Sequence, residues 1–306
     1  MLYTEISQKK TSVLIMGTDY MGTLVPESEV MSLFDFYFDL GGNHLDTAHM
    51  YCEGLSEILV GKWLKTKKRE DIFVSTKGGF PYQNVSRLDS ESLRRDIEES
   101  LVRLDTECVD LYYLHRDDVK IPAGEIIETL NSFIKEGKTV SIGCSNWKSA
   151  RIKEANDYAK SHGLKGFAAS EIKWSLAETS PFFKDDPTLV EMNEDELEFY
   201  QNNDLKVTAF ASQAKGFFSK YEKGTLDGKS KERYWCDKNI ARYVAAREIA
   251  QKRGVSIAAV VIAYLISQKN PVTMPVIGCK NIAQLKDTAA FCDLILTDKE
   301  LEKLKE

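Results

Sequence analysis

Asp46-Thr47-Ala48-His49-Met50-Tyr51 follows a short strand-like run, Asn43-His44-Leu45, and two later stretches echo the arrangement. Asp71-Ile72-Phe73-Val74-Ser75-Thr76 runs into Lys77, and Val109-Asp110-Leu111-Tyr112-Tyr113-Leu114 runs into His115. Asp46 to Lys77 is about 31 residues and Lys77 to His115 about 38, the length of one strand-plus-helix unit. In a parallel barrel all strands point one way, so residues at successive strand ends gather at one rim. An acid, a lysine, a histidine and a tyrosine delivered to that rim can form one active site.

The surrounding text supports such a barrel. Residues 53–65 read as a helix with Leu55, Ile58, Leu59 and Trp63 on one face. Residues 92–104 carry Leu93, Ile97, Leu101 and Leu104 at helical spacing, against Arg94, Arg95, Glu98 and Glu99. Pro122 suits a first helical turn, and Ile126, Ile127, Leu130 and Ile134 line the face that follows. Gly41-Gly42 and Glu136-Gly137-Lys138 provide helix-to-strand turns. Strands are expected around Leu14, Leu45, Val74, Leu111, Ile142, Ala169, Val207 and Met274. This alternation predicts an α/β protein, a single (β/α)8 TIM barrel spanning residues 1–306. An open doubly wound sheet would concentrate ligands at one switch point instead of at three consecutive strand ends. Long rim loops are expected at 181–195 and 215–237. Thr297-Asp298-Lys299-Glu300 is a capping-box pattern that opens an added C-terminal helix outside the barrel.

Composition narrows the class. With 41 basic and 47 acidic residues the net charge is −6, which favours neither nucleic acid nor an anionic membrane as partner. There is no apolar run long enough to span a bilayer, and Met1-Leu2-Tyr3-Thr4-Glu5 lacks a signal-peptide core. The six cysteines form no CxxC pair and read as reduced thiols, so a cytoplasmic location is expected. His44 and His49 flank Asp46, but no further ligand falls at useful spacing and His162 lies in a polar helix end. No metal site is expected.

Further segments follow other strands: Gly17-Thr18-Asp19-Tyr20-Met21-Gly22, Gly143-Cys144-Ser145-Asn146-Trp147, Ser170-Glu171-Ile172-Lys173-Trp174, Phe210-Ala211-Ser212-Gln213-Ala214-Lys215-Gly216-Phe217-Phe218, and Val276-Ile277-Gly278-Cys279-Lys280. With Asp46, Tyr51, Lys77 and His115 they make the chain resemble the aldo-keto reductases from end to end. The resemblance implies an NAD(P)H-dependent oxidoreductase that interconverts a small-molecule carbonyl and its alcohol by hydride transfer. Tyr51 would be the general acid/base, Asp46 and Lys77 its tuning pair, and His115 the group that orients the carbonyl. A phenol ordinarily titrates near pH 10, so Lys77 is expected to ease its proton release.

The cofactor contacts are implied in the same way. Gly17 and Thr18 allow close backbone approach. Ser145 and Asn146 would bind the nicotinamide carboxamide, and Trp174 would stack on the ring. Ser212, Gln213, Lys215, Gly216 and Phe217 lie in the loop over the pyrophosphate. Gly278, Cys279, Lys280, Gln284, Asp287 and Thr288 form the strand-to-helix corner for the adenosine phosphate, where free N–H groups and the helix dipole favour anions. Lys280 favours NADPH over NADH. The chain departs from the family pattern at Cys279, where serine is frequent, at Asp287-Thr288, where Glu-Asn is commoner, and at Glu171, where glutamine is usual. An ionised Glu171 accepts from the carboxamide NH₂ but cannot donate to its oxygen. Asp19, Tyr20, Tyr82, Trp147 and the segment His115-Arg116-Asp117-Asp118 are candidate substrate contacts, and their mixture of rings and carboxylates suits a sugar-like carbonyl. The competing reading is a redox sensor of the same fold that binds the cofactor without turnover. A Schiff-base isomerase built on Lys77 would leave the segments at 143–147 and 210–218 unexplained.

Overall fold

The computed structural model describes residues 1–83 and 85–305. The chain starts with an antiparallel hairpin, β1 (Tyr3–Ile6) and β2 (Lys9–Ser12). Eight parallel strands follow: β3 (Ile15–Gly17), β4 (His44–Asp46), β5 (Phe73–Gly78), β6 (Val109–Leu114), β7 (Thr139–Ser145), β8 (Ala169–Lys173), β9 (Lys206–Phe210) and β10 (Thr273–Ile277). They close in sequence order, with β10 pairing back onto β3. Strands buried on both faces need no polar alternation, which is why runs such as Val109–Leu114 are almost wholly apolar.

All eight expected strands are present, the first centred slightly later than Leu14. The hairpin was not expected. Its turn residues, Ser7 and Gln8, take positive φ values of 48° and 69°. Neither is the glycine or asparagine that usually signals such a turn. The hairpin covers the strand starts: Lys9 Nζ donates to Asp110 and to the Ile72 carbonyl, both at 2.7 Å. Thr11 Oγ1 meets His44 Nδ1 at 2.8 Å. One end of the barrel is therefore closed and the end where the strands finish is left for the site.

Several helices differ from expectation in their detail. Residues Tyr51–Gly54 form a 3₁₀ turn with Cys52 and Glu53 at positive φ, and the helix proper is Leu55–Leu64. Ile58 is exposed on it, not part of the buried face. Residues 215–237 are not simple loop; Phe217–Glu222 and Gly228–Tyr234 are short helices. They bury Phe217, Phe218 and Tyr234 in a second apolar cluster beside the barrel. The terminal helix Asp298–Lys305 is capped reciprocally, with Thr297 N donating to Glu300 Oε2 (2.8 Å) and Glu300 N to Thr297 Oγ1 (3.3 Å). Its Leu304 belongs to that second cluster. Among the described residues no single helix is long and apolar enough to cross a membrane.

The barrel lumen is filled closely. A Cβ on Gly143 would lie 2.6 Å from Tyr113 ring atoms and 2.8 Å from the Ala169 carbonyl oxygen. Tyr113 cannot yield easily, since its hydroxyl is fixed to Thr208 Oγ1 at 2.9 Å across the lumen. Gly143→Ala should destabilise the protein by about 1–3 kcal/mol through overpacking. Urea unfolding measures this; an unchanged midpoint would mean that the lumen has slack.

Candidate active site

Asp46 ends β4 and Lys77 is the penultimate residue of β5. His115 sits one residue past β6, its backbone N–H donating to Gly78 O at 2.8 Å. Tyr51 begins the 3₁₀ turn. Lys77 Nζ is the hub: it donates to Asp46 Oδ2 at 2.5 Å, Thr47 O at 3.0 Å and Tyr51 Oη at 3.3 Å. The His115 ring meets the Tyr51 ring edge-on, with centroids 5.7 Å apart. The four rim residues are thus brought together. A fifth joins them, because Glu171 Oε2 lies 3.5 Å from Lys77 Nζ.

The charges explain one another. Burial opposes the Lys77 ammonium, but the Asp46 carboxylate at 2.5 Å, chief among the groups around it, raises its pKa well above the ordinary lysine value. Burial, aided by Lys77 and Arg116, drives the His115 pKa well below its usual value, so the ring is neutral. Its Nδ1 is buried and has no hydrogen-bond partner. At Tyr51 burial and Lys77 act in opposite directions. Burial lifts its pKa above the ordinary phenol value, Lys77 opposes this and the Asp46 charge adds to it. Lys77 eases the proton off, but burial outweighs it and Tyr51 stays protonated.

At Glu171 the surroundings disfavour the ionised carboxylate. Burial and the Asp46 charge push its pKa up to about 8, against Lys77 and Arg116. A protonated carboxyl offers one O–H donor, as the usual glutamine offers N–H. Behind the rim, His44 and Ser75 brace Asp46: His44 Nε2 meets Ser75 Oγ at 2.9 Å, and Ser75 Oγ donates to Asp46 Oδ1 at 2.7 Å. Burial lowers the His44 pKa to about 3, so it is a neutral link in a chain that reaches back to Thr11. His49 is engaged with Glu99 at 2.7 Å.

The expected cofactor segments converge only in part. Asn146 Nδ2 donates to Ser145 Oγ (3.0 Å), and Asn146 Oδ1 accepts from Val190 N (3.2 Å), which ties a rim loop to β7. Gln213 Nε2 donates to Thr288 Oγ1 at 3.0 Å, and Ser212 Oγ donates to the Val276 carbonyl, joining the segments after β9 and β10. Lys215 and Gly216 both take positive φ, 53° and 77°. Gly278 lies beside Tyr20 and Asp19, and the Lys280 ammonium stands 5.0 Å from the Tyr20 ring centroid. Gly17 and Thr18, both buried, lead into that segment, and Thr18 Oγ1 donates to Asp46 O at 3.1 Å. Gln284 accepts from Lys280 N (2.9 Å), and Asn281, overlooked in the sequence, caps the helix Ile282–Ala289 there. Cys279 is buried, and Asp287 is exposed with its carbonyl accepting from Ser256.

Other expected contacts lie elsewhere. Trp174 is buried: it follows Lys173, which pairs with Phe210, so its side chain turns to the other face of β8. Thr208 faces the lumen, so Phe210, two residues on, shares that face and is the aromatic delivered to the mouth. Phe217 is buried in the second cluster. Trp147 is buried against Phe167, and its Nε1–H donates to Arg116 O at 3.1 Å. Tyr82 is exposed on its loop. Arg116 reaches Thr188 at 2.9 Å and Asp186 at 3.5 Å. Asp117 pairs with Arg151, and Asp118 accepts from Lys120 N. Phe80, which no sequence motif marks, packs between His115 and Arg116, 5.0 Å and 5.2 Å from its ring centroid. Two clefts, of about 280 and 350 Å³, lie at the strand starts, and neither borders the rim residues.

The profile of the aldo/keto reductase family matches residues 13–306, and the chain belongs to that family. Norsolorinic acid reductase stcV of Emericella nidulans is 26% identical over 97% of this chain and 78% of its own. The probable aryl-alcohol dehydrogenase AAD4 of Saccharomyces cerevisiae is 28% identical over 93% of this chain and 89% of its own. The crystal structure of an aldo/keto reductase from Klebsiella pneumoniae in complex with NADP and acetate shares the fold, with a TM-score of 0.75 and 23% identity over 99% of this chain and 93% of its own.

The raised Glu171 pKa has a consequence for stability. Above the ordinary value of 4.5 the unfolded chain loses this proton while the folded one keeps it, so stability is full below that value and declines as pH rises toward about 8. Thermal melting of Glu171→Gln should therefore lose less between about pH 5 and pH 8 than the wild type does. Parallel curves would contradict a raised carboxyl.

Proposed function

We propose that this oxidoreductase reduces the carbonyl of a small molecule with NADPH, with Tyr51 as proton donor. The observation that carries the reading is Lys77 bonded to both Asp46 and Tyr51 beside a neutral His115 whose Nδ1 is unpartnered. A carbonyl oxygen between Tyr51 and His115 would receive hydrogen bonds from the phenol and from the imidazole in its donor tautomer. As negative charge grows on that oxygen, the Tyr51 proton moves to it, and Lys77 stabilises the phenolate left behind. Asp46, held by Ser75, keeps Lys77 charged and aimed.

The residues suit a nicotinamide dinucleotide. The buried, unpartnered Glu171 Oε2 can face a carboxamide near Ser145 and Asn146. The helix start at Asn281, with Lys280 beside it, suits a phosphate. When bound, the cofactor supplies the hydride. Lys280 favours the extra phosphate of NADPH. For the substrate, Tyr20, Phe80 and Phe210 offer aromatic faces while Asp19, exposed just past β3, offers a polar one. Relatives named for norsolorinic acid and aryl alcohols favour an aromatic carbonyl, and Asp19 leaves room for a hydroxylated one. No observation favours a sensor without turnover.

A panel of aromatic and polyhydroxy aldehydes and ketones with NADPH tests the activity. Tyr51→Phe should lower kcat by roughly 10²- to 10⁴-fold and leave cofactor affinity nearly intact. Retention of more than half of wild-type kcat, with chemistry rate-limiting, would assign the acid elsewhere. Lys280→Ala should weaken NADPH by on the order of tenfold and barely change NADH, the loss shrinking at high salt. Equal weakening of both would place Lys280 on the shared part of the dinucleotide.

A further inference from the structure

Two carboxyl groups approach the Lys77 ammonium, and they are not equivalent. Asp46 holds a 2.5 Å hydrogen bond to Lys77 and a second from Ser75. Glu171 stands at 3.5 Å, and its Oε2 is buried with no hydrogen bond. One ionised carboxylate balances one ammonium; a second would add a buried charge with little to hold it. Asp46 has the partners to be that carboxylate. Glu171 has the vacancy to be the neutral acid, and the upward shift of its pKa agrees.

We propose that Glu171 is the proton store of this site, holding a proton while the reduced cofactor is bound and releasing it when the nicotinamide is oxidised. The inference rests on the nicotinamide reading above. The facing groups are Asp46 from β4, Lys77 from β5, Tyr113 from β6, Arg116 just beyond β6, and Tyr51 from the 3₁₀ turn. Its registered neighbours on the flanking strands, Ser145 and Thr208, carry no charge.

The proton path has three links. A bound dihydronicotinamide would supply hydride to the carbonyl carbon, and the substrate oxygen would become an alkoxide. The alkoxide takes the Tyr51 proton, and the phenolate takes one from Lys77 at 3.3 Å. The Lys77 amine takes one from Glu171 at 3.5 Å. The products are an alcohol, neutral Tyr51, charged Lys77, ionised Glu171 and oxidised cofactor, so the new positive charge on the ring is matched by a new negative charge on Glu171. Release of the oxidised cofactor lets Glu171 regain a proton from water. Glutamine at this position could hydrogen-bond the carboxamide but could not carry the proton.

Proton stoichiometry tests this without turnover. The intact protein is titrated with NADP⁺ and with NADPH near pH 7, by calorimetry in two buffers of different ionisation enthalpy. The 2′-phosphate is common to both forms and cancels in the difference. The wild type should release a large fraction of one proton on binding NADP⁺ and close to none extra with NADPH. NADP⁺ affinity should rise with pH, by at most tenfold per unit for a single linked proton. Glu171→Gln should bind both forms and abolish the difference. Equal proton release for the two forms in the wild type, or a difference that survives in Glu171→Gln, would overturn the assignment. Failure to bind either form would instead overturn the nicotinamide reading beneath it.

Discussion

The Lys77 ammonium is completely buried, and the rest of the site is arranged around that fact. A charged amine taken out of water needs counter-charge and hydrogen-bond acceptors at short range. Asp46, Thr47 O and Tyr51 Oη meet the need, and they come from β4, the residue after it and the following turn. The parallel pairing of β4 with β5 sets this geometry, with Asp46 opposite Ser75 and Lys77 two residues further on. The buried lysine thus fixes where the tyrosine hydroxyl must stand.

The asymmetry of the barrel follows from its ends. At the strand starts the hairpin, with Lys9, Thr11 and Ser12, ties β4, β5 and β6 together and closes the lumen. At the strand finishes, neutral His115, protonated Tyr51 and protonated Glu171 leave Lys77 and Asp46 as the charged pair among these five. Such a site carries little net charge while empty and can respond when charge develops on a bound molecule. Burial, with the Asp46 charge, explains why the neighbouring lysine does not bring the phenol pKa below its ordinary value.

What was legible in the sequence follows physical lines. The eight barrel strands were legible because strands buried on both faces are continuous apolar runs of limited length, separated by amphipathic helices. The meeting of Asp46, Lys77, His115 and Tyr51 was legible because strand polarity alone brings strand ends together. The capping box at Thr297 was legible because it is local. Properties that depend on strand phase or on distant charge were not. Trp174 turns from the lumen face and Phe210 toward it once β8 and β9 are set in register, since one residue of phase turns a side chain to the other face. Glu171 reads as a plain carboxylate until the fold sets Asp46 near it. The helices within residues 215–237 were obscured because their stability comes from packing Phe217 and Tyr234, not from a clear period.

The central claim is that this rim transfers hydride between a nicotinamide and a carbonyl carbon. The most direct measurement is a turnover of an aromatic aldehyde with NADPH carrying deuterium at the transferable position of the dihydronicotinamide, with the product examined by NMR and mass spectrometry. The account predicts one deuterium on the new carbinol carbon and none on the alcohol oxygen after exchange into water. Product formed without label at carbon, or no product across the aldehyde and ketone panel despite cofactor binding, would contradict it.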